Sequence, residues 1–302
     1  MILVTGGSGN VGARVVQTLL DQQQQVRVLT RGGSDWHDNP LPHFRRSGAD
    51  IITGDVRDHG KVAAAVQNVR GIIHLSAVMR ASDADMEGVN VGGVENVLAA
   101  AENAGVQRFV HVSCLGATQF STSKYFATKW QGEEMVRNSK FFWTIFRPSL
   151  IFGPSSHFMR ALDFCVAKLP FVPVIGSGLN VIQPVSPEDV AACVIQSLYN
   201  RDTVGKTYDL VGPSSFDLTE LLEQMSRRNM YEGKAKPTVK LPVALAVAAA
   251  QLISKLNPRA PISEDMVRVL TTELVGDPEL MKASFQVECV SFESQFKRLS
   301  KR

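Results

Sequence analysis

The stretch Met1-Ile2-Leu3-Val4-Thr5-Gly6-Gly7-Ser8-Gly9-Asn10-Val11-Gly12 constrains this chain more than any other. An apolar run with strand propensity breaks into a turn carrying four glycines, and from Ala13 to Leu20 the apolar residues return at helical spacing. The reading is strand, glycine turn, helix. Gly6, Gly9 and Gly12 fall at every third position. A backbone needs that spacing if it is to turn tightly, admit a pyrophosphate close to its N–H groups and press the helix start against the strand. Asn10 and Val11, within the turn, join the glycines as candidate cofactor-binding residues, and the free N–H groups and positive dipole end of the helix that follows face the phosphates.

Further strand ends follow in order. Gln25 to Arg31 alternates and ends in two glycines, reading as a second strand. A dinucleotide site that prefers NAD offers an acidic residue at this strand end for the ribose 2′-OH, whereas here Thr30 and Arg31 stand there. A guanidinium clamps a 2′-phosphate with two charge-assisted bonds, so the expected cofactor is NADP(H), with NAD(H) the poorer fit. Arg14, just after the glycine turn, is a second candidate for that phosphate. Ser34 to Arg46 reads as a loop, and Ala49 to Asp58 as a third strand ending in a turn. Asp55 stands where an adenine amino group would be received and Val56 where the ring would be covered, while Asp58 suits a helix cap. Lys61 to Val69 is helical in pattern, and Gly71 to Ala77 is an apolar fourth strand, His74 within it reading as a satisfied core histidine and Ser76 and Ala77 leaving room for a flat ligand. Asn90 to Ala104 is a helix and Gln107 to Ser113 a fifth strand. Repeated strand–helix alternation predicts a doubly wound parallel α/β sheet with helices on both faces and a ligand crevice at the carboxyl ends of the strands.

Tyr125 and Lys129 lie four apart in a helix opening near Ser121 to Ser123 and share its face. A neighbouring ammonium stabilises a phenolate, which fits the tyrosine to exchange a proton with a substrate oxygen while nicotinamide exchanges hydride with the adjacent carbon. Phe141 to Phe146 then forms a sixth strand running into Arg147-Pro148 and Gly153.

Thr5 to Gly12, Gly54-Asp55-Val56, His74-Leu75-Ser76-Ala77, Asn90 with Gly93, Tyr125 with Lys129, and Arg147-Pro148 before Gly153 resemble the extended and atypical short-chain dehydrogenase/reductases in identity and order. Val112 to Ala117, Ser123-Lys124-Tyr125 and Gly132-Glu133-Glu134 look closest to the branch containing the nucleotide-binding accessory subunit of respiratory complex I, and next to NmrA-like regulators. The resemblance covers about residues 1 to 225. It implies a Rossmann core in which Gly6, Gly9 and Gly12 hold the pyrophosphate, Arg31 the 2′-phosphate, Asp55 and Val56 the adenine, Ala77 and Lys129 the ribose, and Pro148 the nicotinamide side. One family feature is absent. Members that turn over place a serine one or two residues beyond Ser113, where this chain has Cys114 and Leu115. A thiol donates poorly and leucine not at all, leaving Ser113, Ser121, Thr122 and Ser123 as replacements and Ser113 in the candidate catalytic set with Tyr125 and Lys129.

The expected organisation is an NADP(H)-binding core over 1–153, completed by about 181–211, with a smaller substrate lobe over 154–180 and 212–302. Phe158 to Pro173 reads as a substrate-covering segment. Ser186-Pro187-Glu188-Asp189 reads as a helix start, its acids placed by capping and dipole. Arg227 to Pro237 reads as a loop. At 302 residues and 44% hydrophobic content the chain can bury a sizeable core, and a net charge of +3 argues against nucleic acid. The basic end, Lys297, Arg298, Lys301 and Arg302, reads as a solvated tail. Four scattered cysteines suggest neither a metal site nor a disulfide framework, and a strand starting at Met1 leaves no room for a signal segment, so the expected compartment is cytoplasmic. Leu241 to Leu252 is almost wholly apolar, but as a helix it spans only about 20 Å of a roughly 30 Å hydrocarbon layer. It is expected to be buried against the second lobe or a homodimer partner, or else to dock on a membrane surface or another protein. The leading functional expectation is an oxidoreductase moving hydride between NADP(H) and a carbonyl, alcohol or quinone-like small molecule. The alternatives are a non-catalytic dinucleotide-binding module, either a redox-sensing regulator or a respiratory-complex accessory subunit, and a sugar-nucleotide epimerase or dehydratase.

Overall fold

The computed structural model describes residues 1–32, 39–79, 82–153, 156–228, 236–257, 262–292 and 294. The basic end and most of the segment from Arg227 to Pro237 lie outside the described residues. The chain divides into two compact units: Met1–Pro148 with Pro187–Leu210 and Glu279–Glu288, and Ser149–Ser186 with Val211–Pro278 and the segment from Cys289 on. The first stretch of the first unit ends at Pro148, and residues 181–186 fall in the second unit.

The first unit alternates β1 (Ile2–Thr5), α1 (Asn10–Asp21), β2 (Val26–Thr30), α2 (Leu41–Arg46), β3 (Asp50–Thr53), α3 (His59–Ala65), β4 (Gly71–His74), α4 (Asp83–Glu87), α5 (Gly93–Asn103), β5 (Arg108–Val112), α6 (Lys124–Arg137) and β6 (Phe142–Pro148). In the second unit α7 (His157–Lys168), β7 (Val172–Ile175) and β8 (Val181–Ile182) follow. The first unit then takes back α8 (Pro187–Tyr199) and β9 (Lys206–Leu210). Its seven strands form one parallel sheet in the order β3-β2-β1-β4-β5-β6-β9. The order reverses between β1 and β4, and at such a switch point the loops of neighbouring strands part to leave a crevice.

Strand burial explains the apolar runs. Every residue of β1 and β4 is buried, as strands covered on both faces require. On one face Leu3, Ile72 and Phe109 lie in register and pack with Val62, Val97, Ala101 and Val136 from the helices. The helices start where the sequence offers caps: Asp58 accepts from the N–H of Lys61, Ser82 from that of Asp85, and Ser123 from that of Phe126. The stretch read as a loop up to Arg46 contains α2, because Leu41 and Phe44, three apart, are both buried. Between α4 and α5, Gly88–Gly92 is a π-turn, a bulge that sequence periodicity does not reveal.

The second unit continues with β10 (Phe216–Asp217), α9 (Leu218–Arg228), β11 (Thr238–Leu241), α10 (Val243–Leu256) and α11 (Glu264–Leu270). Parallel β7 and β11 form one small sheet and antiparallel β8 and β10 another. Within the chain, the apolar segment 241–252 is not buried against the second lobe as expected. In α10 only Ala246 and Ala250 are buried, while Val243, Leu245, Leu252 and Leu256 face outward. The last helix, α12 (Pro278–Ser284), precedes Phe285, which packs against Phe146 and Tyr208 of the first unit's sheet.

Candidate functional site

The glycine turn is built so that no side chain fits. Gly6 has φ +70, and a Cβ there would lie 2.9 Å from the backbone of Leu75 and Ser76. The end of β1 therefore lies directly against the end of β4, bringing Gly6 beside Ser76. A Cβ on Gly12 would lie 2.2 Å from the Gly6 carbonyl oxygen, and Gly9 donates to that same oxygen at 3.0 Å. Helix α1 begins without a side-chain cap, so its first-turn amides, from Asn10, Val11 and Gly12, are set out as a pyrophosphate needs them. This cradle, which any Cβ would fill, fits a dinucleotide.

At the end of β2 the Thr30 hydroxyl hydrogen-bonds Ser8 Oγ at 3.0 Å, tying the strand end to the glycine turn, and Arg31 follows, exposed. Arg14 is committed elsewhere: it donates to Glu188 at 2.5 Å and to the Asn10 carbonyl and Oδ1. At the end of β3 Asp55 accepts from the Arg57 side chain at 3.0 and 2.9 Å, and Arg57 also bonds Asp85. Those Arg57 bonds hold the Asp55 carboxyl below its usual range, so an adenine amino group at Asp55 has to share the carboxylate with Arg57. Val56 is buried against Gly93, and its carbonyl accepts from Asn96. Asp58 caps α3. Ser76 is half-buried and Ala77 exposed beyond the end of β4.

Tyr125 and Lys129 share a face of α6. Lys129 is buried and donates to the Val112 carbonyl, the last of β5, at 2.8 Å, and burial lowers its pKa. Tyr125 is half-buried and makes a side-chain hydrogen bond with Cys114. Burial pushes the Cys114 thiol up to about 12, so it stays protonated at neutral pH. Ser113, the expected candidate, is buried, and its hydroxyl has no partner among the described residues. Cys114, not Ser113, thus meets the tyrosine. Pro148 is buried at the end of β6 and accepts from the N–H of Leu115 at 2.8 Å, closing the β5 and β6 ends together. Asn90, in the π-turn, exchanges two bonds with the Val78 backbone at 2.8 and 2.9 Å and donates to Thr128 at 3.1 Å. It braces the segment after β4 to the helix carrying Tyr125 and Lys129. Its place in the motif marked Asn90 in the sequence, but nothing local revealed this bracing role.

Behind Lys129 the sheet holds a second polar pair. His74 and His111, neighbours in register on β4 and β5, stack with ring centroids 5.5 Å apart. The Thr5 hydroxyl pairs with His74 Nδ1 at 2.9 Å, but His74 Nε2 and both His111 nitrogens have no partner among the described residues. His74 is therefore only half satisfied. Burial lowers its pKa to about 3 and that of His111 well below the ordinary value. An unfolded imidazole binds a proton below about 6.5 while the folded one refuses it, so the stability this contributes is complete above that pH and is lost as pH falls, for His74 down toward 3. His74 adds up to about 1.4 kcal/mol per pH unit over that window, and His111 acts in the same direction. Urea titrations of wild type and His111→Phe at pH 7, 5 and 4 are expected to show a shallower acid loss in the variant.

The family described as NAD(P)H-binding matches residues 6–163, the half of the chain that carries the glycine cradle and the Tyr125 helix. The chain belongs to that family. It is 31% identical over 292 residues to the mitochondrial NADH dehydrogenase [ubiquinone] 1 alpha subcomplex subunit 9 of Arabidopsis thaliana, covering 92% of this chain and 71% of the relative. The Mus musculus protein of the same name is 32% identical over 226 residues, with 73% of this chain and 59% of the relative covered. The chain therefore spans less than two thirds of the mouse relative's length. These relatives place it on the extended short-chain dehydrogenase/reductase branch expected from its motifs. Among solved structures, a dTDP-glucose 4,6-dehydratase from Streptomyces venezuelae with NAD bound has a TM-score of 0.78 at 22% identity, covering 100% of this chain and 96% of that one. At that identity the likeness shows the Rossmann-type fold.

Proposed function

We propose that this family member binds NADP(H) and moves hydride between it and a carbonyl or alcohol carbon, with Tyr125 as acid/base. The observation that carries the reading is the α6 face itself: Tyr125 at the surface of the site and Lys129 buried one turn behind it at the end of β5. When bound, the dihydronicotinamide supplies the hydride. Tyr125 donates the proton to the substrate oxygen, Lys129 holds the nicotinamide ribose and favours the tyrosinate left behind, and Pro148 backs the nicotinamide side. Arg31, exposed beyond β2, favours the 2′-phosphate over a bare ribose.

The second reading, a non-catalytic dinucleotide module, is favoured by Cys114, whose protonated thiol stands beside Tyr125 where a stronger donor would polarise the substrate oxygen. Kinship with complex I subunit 9 supports the same reading and suggests that the chain works within a protein assembly.

Fluorescence titration with NADPH and NADH separates the first claim. Arg31→Ala is expected to weaken NADPH binding about 10- to 100-fold and to leave NADH unchanged, the worth of one or two charge-assisted bonds. Equal loss for both nucleotides would remove the 2′-phosphate assignment. NADPH oxidation is then followed against aldehydes, ketones and quinones. Tyr125→Phe is expected to cost about 10²- to 10⁴-fold in turnover. Tight binding with no turnover by wild type, and turnover appearing in Cys114→Ser, would favour the module.

A further inference from the structure

The helix α10 is built inside out. Its small residues Ala246 and Ala250 face the protein, while Leu245, Leu252 and Leu256 are 57%, 58% and 78% exposed. Its polar side chains also turn toward the neighbouring α11 region: Gln251 donates to Glu264, and Ser254 to the Ile262 carbonyl. Glu264 is in turn paired with Arg268. A helix on a water-facing surface normally does the opposite, burying its leucines. The exposed leucines repeat at intervals of seven and four residues and so form one stripe.

Apart from Glu264, which α10 meets through Gln251, the charge flanking α10 along the sequence is positive. Exposed Lys240 precedes α10 and exposed Lys255 sits in its last turn, and between Glu232 and Glu264 the sequence holds five basic residues and no acidic one. At fourteen residues α10 is about 21 Å long, too short for the roughly 30 Å hydrocarbon layer. No helix among the described residues is long and apolar enough to cross a membrane.

We propose that β11 and α10 form a docking element that lies flat on a bilayer containing anionic lipid, with Leu245, Leu252 and Leu256 at the acyl boundary and Lys240 and Lys255 among the phosphates. A second copy of this chain fits less well. In a symmetric contact between two α10 helices, an antiparallel pairing sets Lys240 near the other copy's Lys255 and a parallel one sets each lysine near its own counterpart, so positive meets positive either way. An anionic headgroup layer answers both features at once, because each nearby lysine adds attraction and each inserted leucine leaves water.

The test is cosedimentation of the full chain with vesicles of phosphatidylcholine alone or mixed equally with phosphatidylglycerol. The expected result is binding to the mixed vesicles, weakened by salt, with little binding to phosphatidylcholine. Lys240→Gln and Lys255→Gln are each expected to lower the partition coefficient about fivefold, and the double variant Leu252→Asp/Leu256→Asp to abolish binding. These side chains are exposed, so circular dichroism and NADPH titration of the variants are expected to match wild type, which separates this surface from the nucleotide site. The proposal is overturned if wild type binds neither vesicle, if the aspartate variant binds as well as wild type, or if wild type is a dimer that the aspartate variant splits while vesicles are ignored.

Discussion

Replacing Gly12 by alanine is expected to abolish measurable nucleotide binding and to lower the melting temperature by about 2–5 °C. The added Cβ would stand 2.2 Å from the Gly6 carbonyl oxygen and 2.8 Å from the Gly7 Cα, and neither neighbour is the far end of a flexible side chain that could swing aside. Relief has to come from separating β1 from α1. That movement costs about 1–3 kcal/mol of packing and displaces the N–H groups meant for the pyrophosphate. Gly92→Ala is the control, since a Cβ there meets nothing within 4 Å and the site calls for no positive φ. NADPH fluorescence titration and thermal melting of the two variants check the expectation. Near-normal binding by Gly12→Ala would mean that the turn does not hold the phosphates.

The second large effect is expected at Glu133. Its carboxylate is fully buried, accepts from Arg147 at 2.9 and 2.7 Å and also pairs with Arg137. Glu133 lies one turn beyond Lys129 on α6 and Arg147 directly before Pro148 on β6, so the pair clamps the Tyr125–Lys129 helix to β6. Removing one partner of such a pair leaves charge without compensation. Because both arginines keep some contact with water, Glu133→Gln is expected to lose about 3 kcal/mol, at the lower end for buried pairs. Urea unfolding measures this, and Glu133→Gln/Arg147→Met is expected to recover part of the loss. A loss below about 0.5 kcal/mol in the single variant would show that the carboxylate does not hold the helix.

Much of the fold was legible because parallel sheets declare themselves locally. Fully covered strands such as Ile2–Thr5 and Gly71–His74 read as unbroken apolar runs, and their helices carry their own caps at Asp58 and Ser123. The turn glycines were legible for the same reason, since the demand on Gly6 and Gly12 comes from backbone geometry within a few residues. The α2 helix was missed because Leu41 and Phe44 make too short a pattern to distinguish from a loop, and the π-turn at Gly88–Gly92 because it leaves no periodic trace.

By itself the sequence determined the order of strands and helices, the glycine cradle and the spacing of Tyr125 and Lys129, because each follows from steric and periodic rules acting over neighbouring residues. Tertiary structure decided which groups those residues meet. It set Cys114 rather than Ser113 beside Tyr125, spent Arg14 on Glu188 and Asp55 on Arg57, stacked His74 on His111, and turned the leucines of α10 outward. A side chain's partner comes from a strand or helix distant in the chain, and only the packing of the sheet brings the two within hydrogen-bonding distance.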